Sequence, residues 1–280
     1  MRTVAFDQIC DAVATLCQRA NFELTRDMQS ALERSVARET NPVARNALQR
    51  ILENARIAKT QSLPMCQDTG LVVIFAEIGQ DVHIAGGLLR DAINAGIRKG
   101  WKEGFLRASV TGDPIDRKNT GDNTPAVIYS DWVAGDQLRL QLLAKGGGCE
   151  NMSRFKMLSP TQGREGIVQF VVEVAAQAGP NACPPMVVGV GVGGSYDYST
   201  VLSKKALLRE VGSPSPLPHV AELEREIMEK INQSGVGPQG YGGDTTALAV
   251  QIETAACHIA SLPVSVNIEC HAHRHQEVIL

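Results

Sequence analysis

Three cysteines carry most of the chemistry that this sequence offers. Cys66 stands in PMCQDTG, Cys183 in NACPP and Cys270 in ECHAHR, each at the end of a predicted strand and beside a turn or prolines. No C-x-x-C pair occurs, and the wide separations do not match a zinc knuckle. Three such thiolates, gathered by folding, would hold three irons of a cubane cluster and leave the fourth open to substrate. An open iron is a Lewis acid toward a hydroxyl or carboxylate. Cysteine also serves as plain packing, and spacing alone leaves that alternative standing. A third reading uses the C-terminal residues differently. On a strand, His271, His273 and His275 share a face, and with Cys270 they offer a zinc-binding set.

Glycines accompany two of these cysteines. The proline after Cys183 biases it toward an extended backbone, which puts the thiol on a stiff loop before a short buried strand over 186–190. Gly189, Gly191 and Gly194 match G-x-G-x-x-G, with Glu210 where a ribose-binding acid would stand. A dinucleotide fold, however, places that turn in its first βα unit and opens directly into a helix. Here it comes late, and Ser195, Tyr196 and Asp197 precede a helix predicted over 200–210. The competing reading is a glycine-rich strand packed closely on a neighbour. Upstream, Gly146, Gly147 and Gly148 end another strand with amides that a ligand can approach unhindered.

The elements that must position these residues follow from periodicity. Ile9, Cys10, Val13, Leu16 and Cys17 recur at helical spacing, so Cys10 and Cys17 read as core. A second helix covers 27–38, and Asn41 before Pro42 reads as the cap of a third. A strand over 71–78 and a helix over 86–101 come next; PAVIYSDWV and QLRLQLLAK read as strands and REGIVQFVVEVAAQAG as a helix. A helix over 220–233 carries Glu222, Glu224, Glu226 and Glu229, read as a solvated face. GVGPQGYGGD reads as a flexible turn between that helix and two strands, in TTALAVQIETAACH and PVSVNIEC.

A chain of 280 residues buries about 75% of its unfolded surface, enough for one large domain over 1–280 with a helical region over 1–60 inside it. The fold class expected is α/β, with that helical region, mixed sheets surrounded by helices, and the cysteines on strand-end loops. A net charge of -3 and 4% aromatic residues argue against a nucleic-acid partner. With no secretory signal and no long apolar run, the expectation is a cytoplasmic protein without membrane contact, its seven cysteines reduced.

Taken in order, PMCQDTG, the GGG run, ACPP with its glycine-rich strand, and CHAHR resemble the cluster-bearing N-terminal part of the class I (iron-sulfur) fumarate hydratase family. That family includes the two-subunit fumarases and tartrate dehydratases, and the resemblance covers essentially the whole chain. KGGGCENMSRFKM is more similar to the fumarase α subunits than to those of tartrate dehydratase. The resemblance implies a 4Fe-4S cluster on Cys66, Cys183 and Cys270, with one iron lacking a protein ligand. It implies that Gln67 and Asp68 face the substrate, Asp68 assisting catalysis, and that Arg107 and the Gly147 amide bind a carboxylate. ASVTGDP, after Arg107, departs from the pattern of many members. His258 matches a family histidine in substrate binding and catalysis. Cys149 and Cys257 do not match ligand positions and read as packing or turn residues.

The activity implied is reversible hydration of fumarate to L-malate, a tricarboxylic acid cycle reaction, by an α subunit. A separate β subunit would carry the rest of the site, including the base, in a hetero-oligomer or around a homodimer of α subunits. L-tartrate dehydration is the alternative on the same dicarboxylate contacts. Metal content separates both from the zinc reading.

Overall fold

Helical spacing and strand alternation sort the chain into eighteen helices and strands. The computed structural model describes residues 1–280. In chain order these are β1 (Arg2–Ala5), α1 (Phe6–Phe22), α2 (Arg26–Arg38), α3 (Pro42–Gln61), β2 (Leu71–Gly79), β3 (Val82–Ala85) and α4 (Leu89–Glu103). Next come β4 (Val127–Val133), β5 (Leu138–Lys145), α5 (Gly147–Met152), β6 (Arg154–Leu158), α6 (Gly163–Ala178) and β7 (Met186–Gly193). The last are α7 (Tyr196–Ala206), α8 (Pro218–Asn232), β8 (Ala247–Ala255), β9 (Leu262–Glu269) and β10 (His275–Ile279). They form two compact units: residues 1–25, 54–147 and 274–280 in the first, 26–53 and 148–273 in the second. The α/β class is as expected.

In the first unit a four-stranded mixed sheet runs β10-β5-β2-β4, and β1 pairs in parallel with β3. β2 is apolar almost throughout, as a strand buried on both faces should be. The apolar stripe of α1 (Ile9, Val13, Leu16, Cys17) and that of α4 (Ile93, Ile97, Trp101) pack with Ile74, Leu140 and Leu142 in one core. Cys17 is fully buried there and its pKa is pushed far up by desolvation, so it is the packing cysteine its spacing indicates.

The second unit is built on the mixed sheet β6-β9-β7-β8. Alternation along β7 sends Val188 and Val190 into a core with Phe170, Val174, Ile227 and Ile231 of α6 and α8. The opposite face carries the glycines. A Cβ on Gly189 would lie 2.2 Å from the Ser203 carbonyl oxygen, and one on Gly191 2.0 Å from that of Ser199. Backbone of α7 occupies that space, so these glycines admit a helix; their packing reading holds and the dinucleotide one does not.

Several local expectations shift. Residues 2–5 are a strand within the helical N-terminal region, too short for alternation to reveal. Asn41 caps α3 as expected, its Oδ1 accepting from the Val43 amide at 2.9 Å. Helix α4 starts at Leu89 because β3 and a turn take up the preceding residues. Helix α7 starts at Tyr196 rather than 200. Glu224 is buried, not solvated: it pairs with Arg209 at 2.6 Å and accepts from the Ser215 and Ile252 amides. No helix is long and apolar enough to cross a membrane.

Candidate functional site

The first unit gathers Cys66, Gln67, Asp68, Arg107 and Gly147 around one end of its sheet. Leu71 of β2 pairs with Lys145 of β5, so the loop entering β2 and the glycine turn leaving β5 emerge together. Asp68 is the clasp. Its Oδ1 accepts from the Gly70 amide at 3.0 Å and its Oδ2 from the Gly147 amide at 2.8 Å. The Arg107 guanidinium lies 3.9 Å from Oδ1 with its side chain 61% exposed, leaving most of its donors to solvent. Its carbonyl is fixed by Thr69 Oγ1 at 2.6 Å and Trp101 Nε1 at 3.2 Å. Cys66 is half-buried, with its Sγ 3.5 Å from Gln67 Oε1.

The carboxylate of Asp68 therefore occupies the place expected for a ligand anion at the Gly147 amide. That amide stands at the N-terminus of α5, where the sequence indicated only an open turn. The juxtaposition of an acceptor carboxylate, an exposed guanidinium and a helix-start amide suits recognition of a small carboxylate.

The second unit brings Cys183 and Cys270 onto adjacent loops. Val187 of β7 pairs with Glu269 of β9, so the thiol before β7 and the thiol after β9 leave the sheet at the same end. The His271 amide donates to the Cys183 carbonyl at 3.4 Å. Cys183 is exposed and Cys270 half-buried, unlike the buried Cys149. Cys183 is not extended as its proline neighbour indicated: φ is 49° and ψ 60°, in the left-handed region. The reason is the 3₁₀ turn over Gly179–Ala182, which closes through the Cys183 amide on the Pro180 carbonyl at 3.0 Å.

His258 stands elsewhere in this unit. It lies on the exposed loop between β8 and β9, with its Nδ1 accepting from the Ala260 amide at 3.1 Å. β8 runs parallel to β7, so that loop leaves the sheet where β7 ends, the opposite end from Cys183. A strand of this length spans on the order of 20 Å. Cys257 beside it is exposed, its Sγ on the Ser261 carbonyl, a turn residue as expected.

The histidines of the zinc reading do not share a strand face, because residues 270–274 belong to no strand. His273 is fully buried with Nε2 on the Leu207 carbonyl, while His271 Nδ1 lies 2.9 Å from the Cys183 carbonyl. Within neither unit are three His, Cys, Asp or Glu side chains gathered to hold a single ion.

Two neighbours of these loops escaped the sequence reading. Arg274 is buried at 2% exposure and donates to the Asp68 carbonyl and, at 3.4 Å, to Asn21 Oδ1. Its burial far from any apolar pattern left no signal. Gln239 reaches the Pro184 carbonyl and the His271 ring. A glutamine between Pro238 and Gly240 in a glycine-rich segment was its only cue.

Comparison with known proteins gives these loops a family. The family model described as Fumarate hydratase (Fumerase) matches residues 10–279. A protein of Methanocaldococcus jannaschii, provisionally named L(+)-tartrate dehydratase subunit alpha, is 41% identical over 273 residues, 95% of each chain. The L(+)-tartrate dehydratase subunit alpha of Escherichia coli K12 is 33% identical over 274 residues, 96% of this chain and 90% of its own. That of Escherichia coli O157:H7 is 32% identical over 277 residues, again 96% and 90%. With a family model spanning the motifs and relatives matched over nearly their whole length, the chain belongs to the fumarate hydratase family of hydro-lyases, among α subunits of the fumarase and tartrate dehydratase type.

Proposed function

We propose that this chain is the cluster-bearing α subunit of a dehydratase for a four-carbon hydroxy-dicarboxylate, with L(+)-tartrate as substrate. The observation that carries the substrate choice is the near-full-length similarity to proteins named tartrate dehydratase α subunits. It outweighs the likeness of KGGGCENMSRFKM to fumarase α subunits, a short stretch beside an alignment of 273 residues. Fumarate and L-malate are the second reading, favoured by that stretch and the family model's description.

In this reading Cys66, Cys183 and Cys270 hold a 4Fe-4S cluster. The donor set suits it: all three are cysteines on loops, none is buried, and soft thiolates are the preferred ligands of iron-sulfur groups. When bound, the cluster supplies a Lewis-acidic iron without a protein ligand, which polarises the substrate hydroxyl. The chain's own residues bind and orient. Arg107 takes a substrate carboxylate through its exposed guanidinium, and Gln67 offers an amide beside it. The Gly147 amide, aimed at the Asp68 carboxylate, passes to the substrate anion when that anion enters. Asp68, so released, assists catalysis by accepting the proton passed on by the base that the β subunit carries. His258, on a loop at the opposite end of its sheet from Cys183, takes no step at this site.

A β subunit supplies the remaining cations and the base, consistent with the relatives' designation as α subunits. The test is anaerobic reconstitution with iron and sulfide, addition of the β subunit, and assay on L(+)-tartrate and L-malate. Oxaloacetate from tartrate at a clear excess over fumarate from malate is expected. Preferential turnover of malate would overturn the substrate choice. A complex with full iron that dehydrates neither would overturn the function.

A further inference from the structure

We propose that Gln239 is a positioning residue that presets the Cys183 and Cys270 loops for their ligand, by tying the Pro184 carbonyl and the His271 ring to one rigid turn. The inference rests on the proposed ligand role of those two cysteines.

The turn around Gln239 is not the flexible connection its composition indicated. Glu39, fully buried, accepts from the Asp244 amide at 2.9 Å and the Thr245 amide at 3.2 Å, which pins the end of the segment. The Gly242 amide donates to the Val236 carbonyl at 2.9 Å and the Gly237 amide to Thr246 Oγ1 at 3.0 Å. A Cβ on Gly237 would lie 1.7 Å from the Gly242 carbonyl oxygen, so the turn closes on itself with no room for another residue there.

From this platform Gln239 makes two contacts with one atom. Its backbone amide donates to the Pro184 carbonyl at 2.8 Å, and its side-chain Nε2 donates to the same oxygen at 2.8 Å. The same Nε2 lies 3.1 Å from His271 Nδ1, which in turn is 2.9 Å from the Cys183 carbonyl. Pro184 directly follows Cys183, and His271 directly follows Cys270. One side-chain amide therefore bonds the residue after Cys183 and lies against the ring of the residue after Cys270.

The backbone of Gln239 strengthens the argument. Its φ of 54° and ψ of 19° lie in the left-handed region that costs every residue but glycine, with Asn and Asp the mildest exceptions. Glycine fills positive-φ positions at 235, 237, 240, 242 and 243 of the same segment. A turn needing only its shape would be better served by glycine at 239 too. A glutamine held there against its preference indicates that the side chain is used.

Groups that orient the ligands of a metal site commonly alter metal affinity about 10- to 100-fold when removed. Gln239→Gly keeps the backbone conformation and deletes only the amide. Gln239→Glu keeps the shape but sets a carboxylate oxygen against the Pro184 carbonyl. Each full-length variant is reconstituted anaerobically with iron and sulfide, and iron loss to a chelator is timed. Hydrogen–deuterium exchange over 181–186 and 270–273 is measured on the metal-free chain, with the thermal midpoint as control. Both variants are expected to lose iron about tenfold faster or more than wild type and to exchange faster over those segments, while Gln239→Gly keeps its midpoint. Wild-type iron retention in both variants, with wild type fully loaded, would overturn this inference alone. A wild-type chain that takes up no iron would overturn the ligand reading and this one with it.

Discussion

Removing the Asp68 carboxylate separates its structural from its chemical role. Asp68→Ala deletes two amide hydrogen bonds to a charged acceptor, from Gly70 at 3.0 Å and Gly147 at 2.8 Å. Bonds to charged groups contribute about 1.5–3 kcal/mol each where the freed partner stays dry. Water reaches this clasp, so about 2–4 kcal/mol in total is the reasonable range. The Arg107 contact adds little, being long and largely exposed. At about 2–4 °C per kcal/mol for a chain of this size, the unfolding midpoint of the first unit should fall by roughly 4–16 °C. Trp101 is the reporter, 3% exposed and bonded to the Arg107 carbonyl, so fluorescence-detected melting reads the clasp directly. Asp68→Asn keeps one acceptor and should fall between wild type and Ala. Turnover of the two-subunit enzyme should not follow that graded order: Asn, which cannot accept the proton, should lose about 100-fold or more in rate. Equal melting of Asp68→Ala and wild type would refute the clasp, and near-normal turnover by Asp68→Asn would refute the chemical role.

Gly191→Ala would thrust a methyl against the Ser199 carbonyl oxygen, 2.0 Å from its ideal position, and force α7 off the sheet. The cost, at the upper end of overpacking or about 3 kcal/mol, should appear as a lower chemical-denaturation midpoint, and an unchanged one would exclude close helix packing there. Glu224→Ala removes the buried Arg209 ion pair and leaves the Ser215 and Ile252 amides without their acceptor, at about 3–5 kcal/mol measured the same way. Burial pushes the Glu253 carboxyl above its ordinary 4.5, against the downward pull of Arg209 and Lys205. A raised carboxyl favours the protonated folded state, so its ionisation costs stability as pH rises from 4.5 through the folded value. Glu253→Gln should therefore be more stable than wild type at pH 7 and equal to it near pH 4; equal stability at both would refute the shift.

Much of the fold was legible because periodicity is a local property. The stripe Ile9–Val13–Leu16, the Asn41 cap and the apolar run of β2 each announce themselves within a few residues. Strands β1, β3 and β10 did not, because four or five residues carry too little alternation and exist through their partners. The site was legible where residue type limits the options: a Cys beside a Pro or a Gly, an Asp before a turn. What stayed hidden was longer in range. Glu224 looked like one of a solvated row, and only Arg209 with two distant amides explains why it alone turns inward. Gln239 and Arg274 act through carbonyl oxygens, which every residue possesses and no sequence pattern marks.

The pairing of β10 with β5 has a consequence for how the chain acquires its shape. Residues 275–279 form the edge of a sheet whose other strands lie between 71 and 145, and the Leu138 and Leu280 backbones bond each other in both directions at its rim. Everything in the second unit from 148 onward is synthesised before that edge arrives. During translation β5 thus presents an uncovered row of donors and acceptors beside the CQD loop, an open template for mispairing with other nascent chains. Closing so long a stretch is entropically late, so the first unit should be the last to mature although its segments emerge first. Refolding followed by pulse-labelled exchange should find β2 and β5 gaining protection after β7 and β9, and expression yield should depend heavily on the final seven residues.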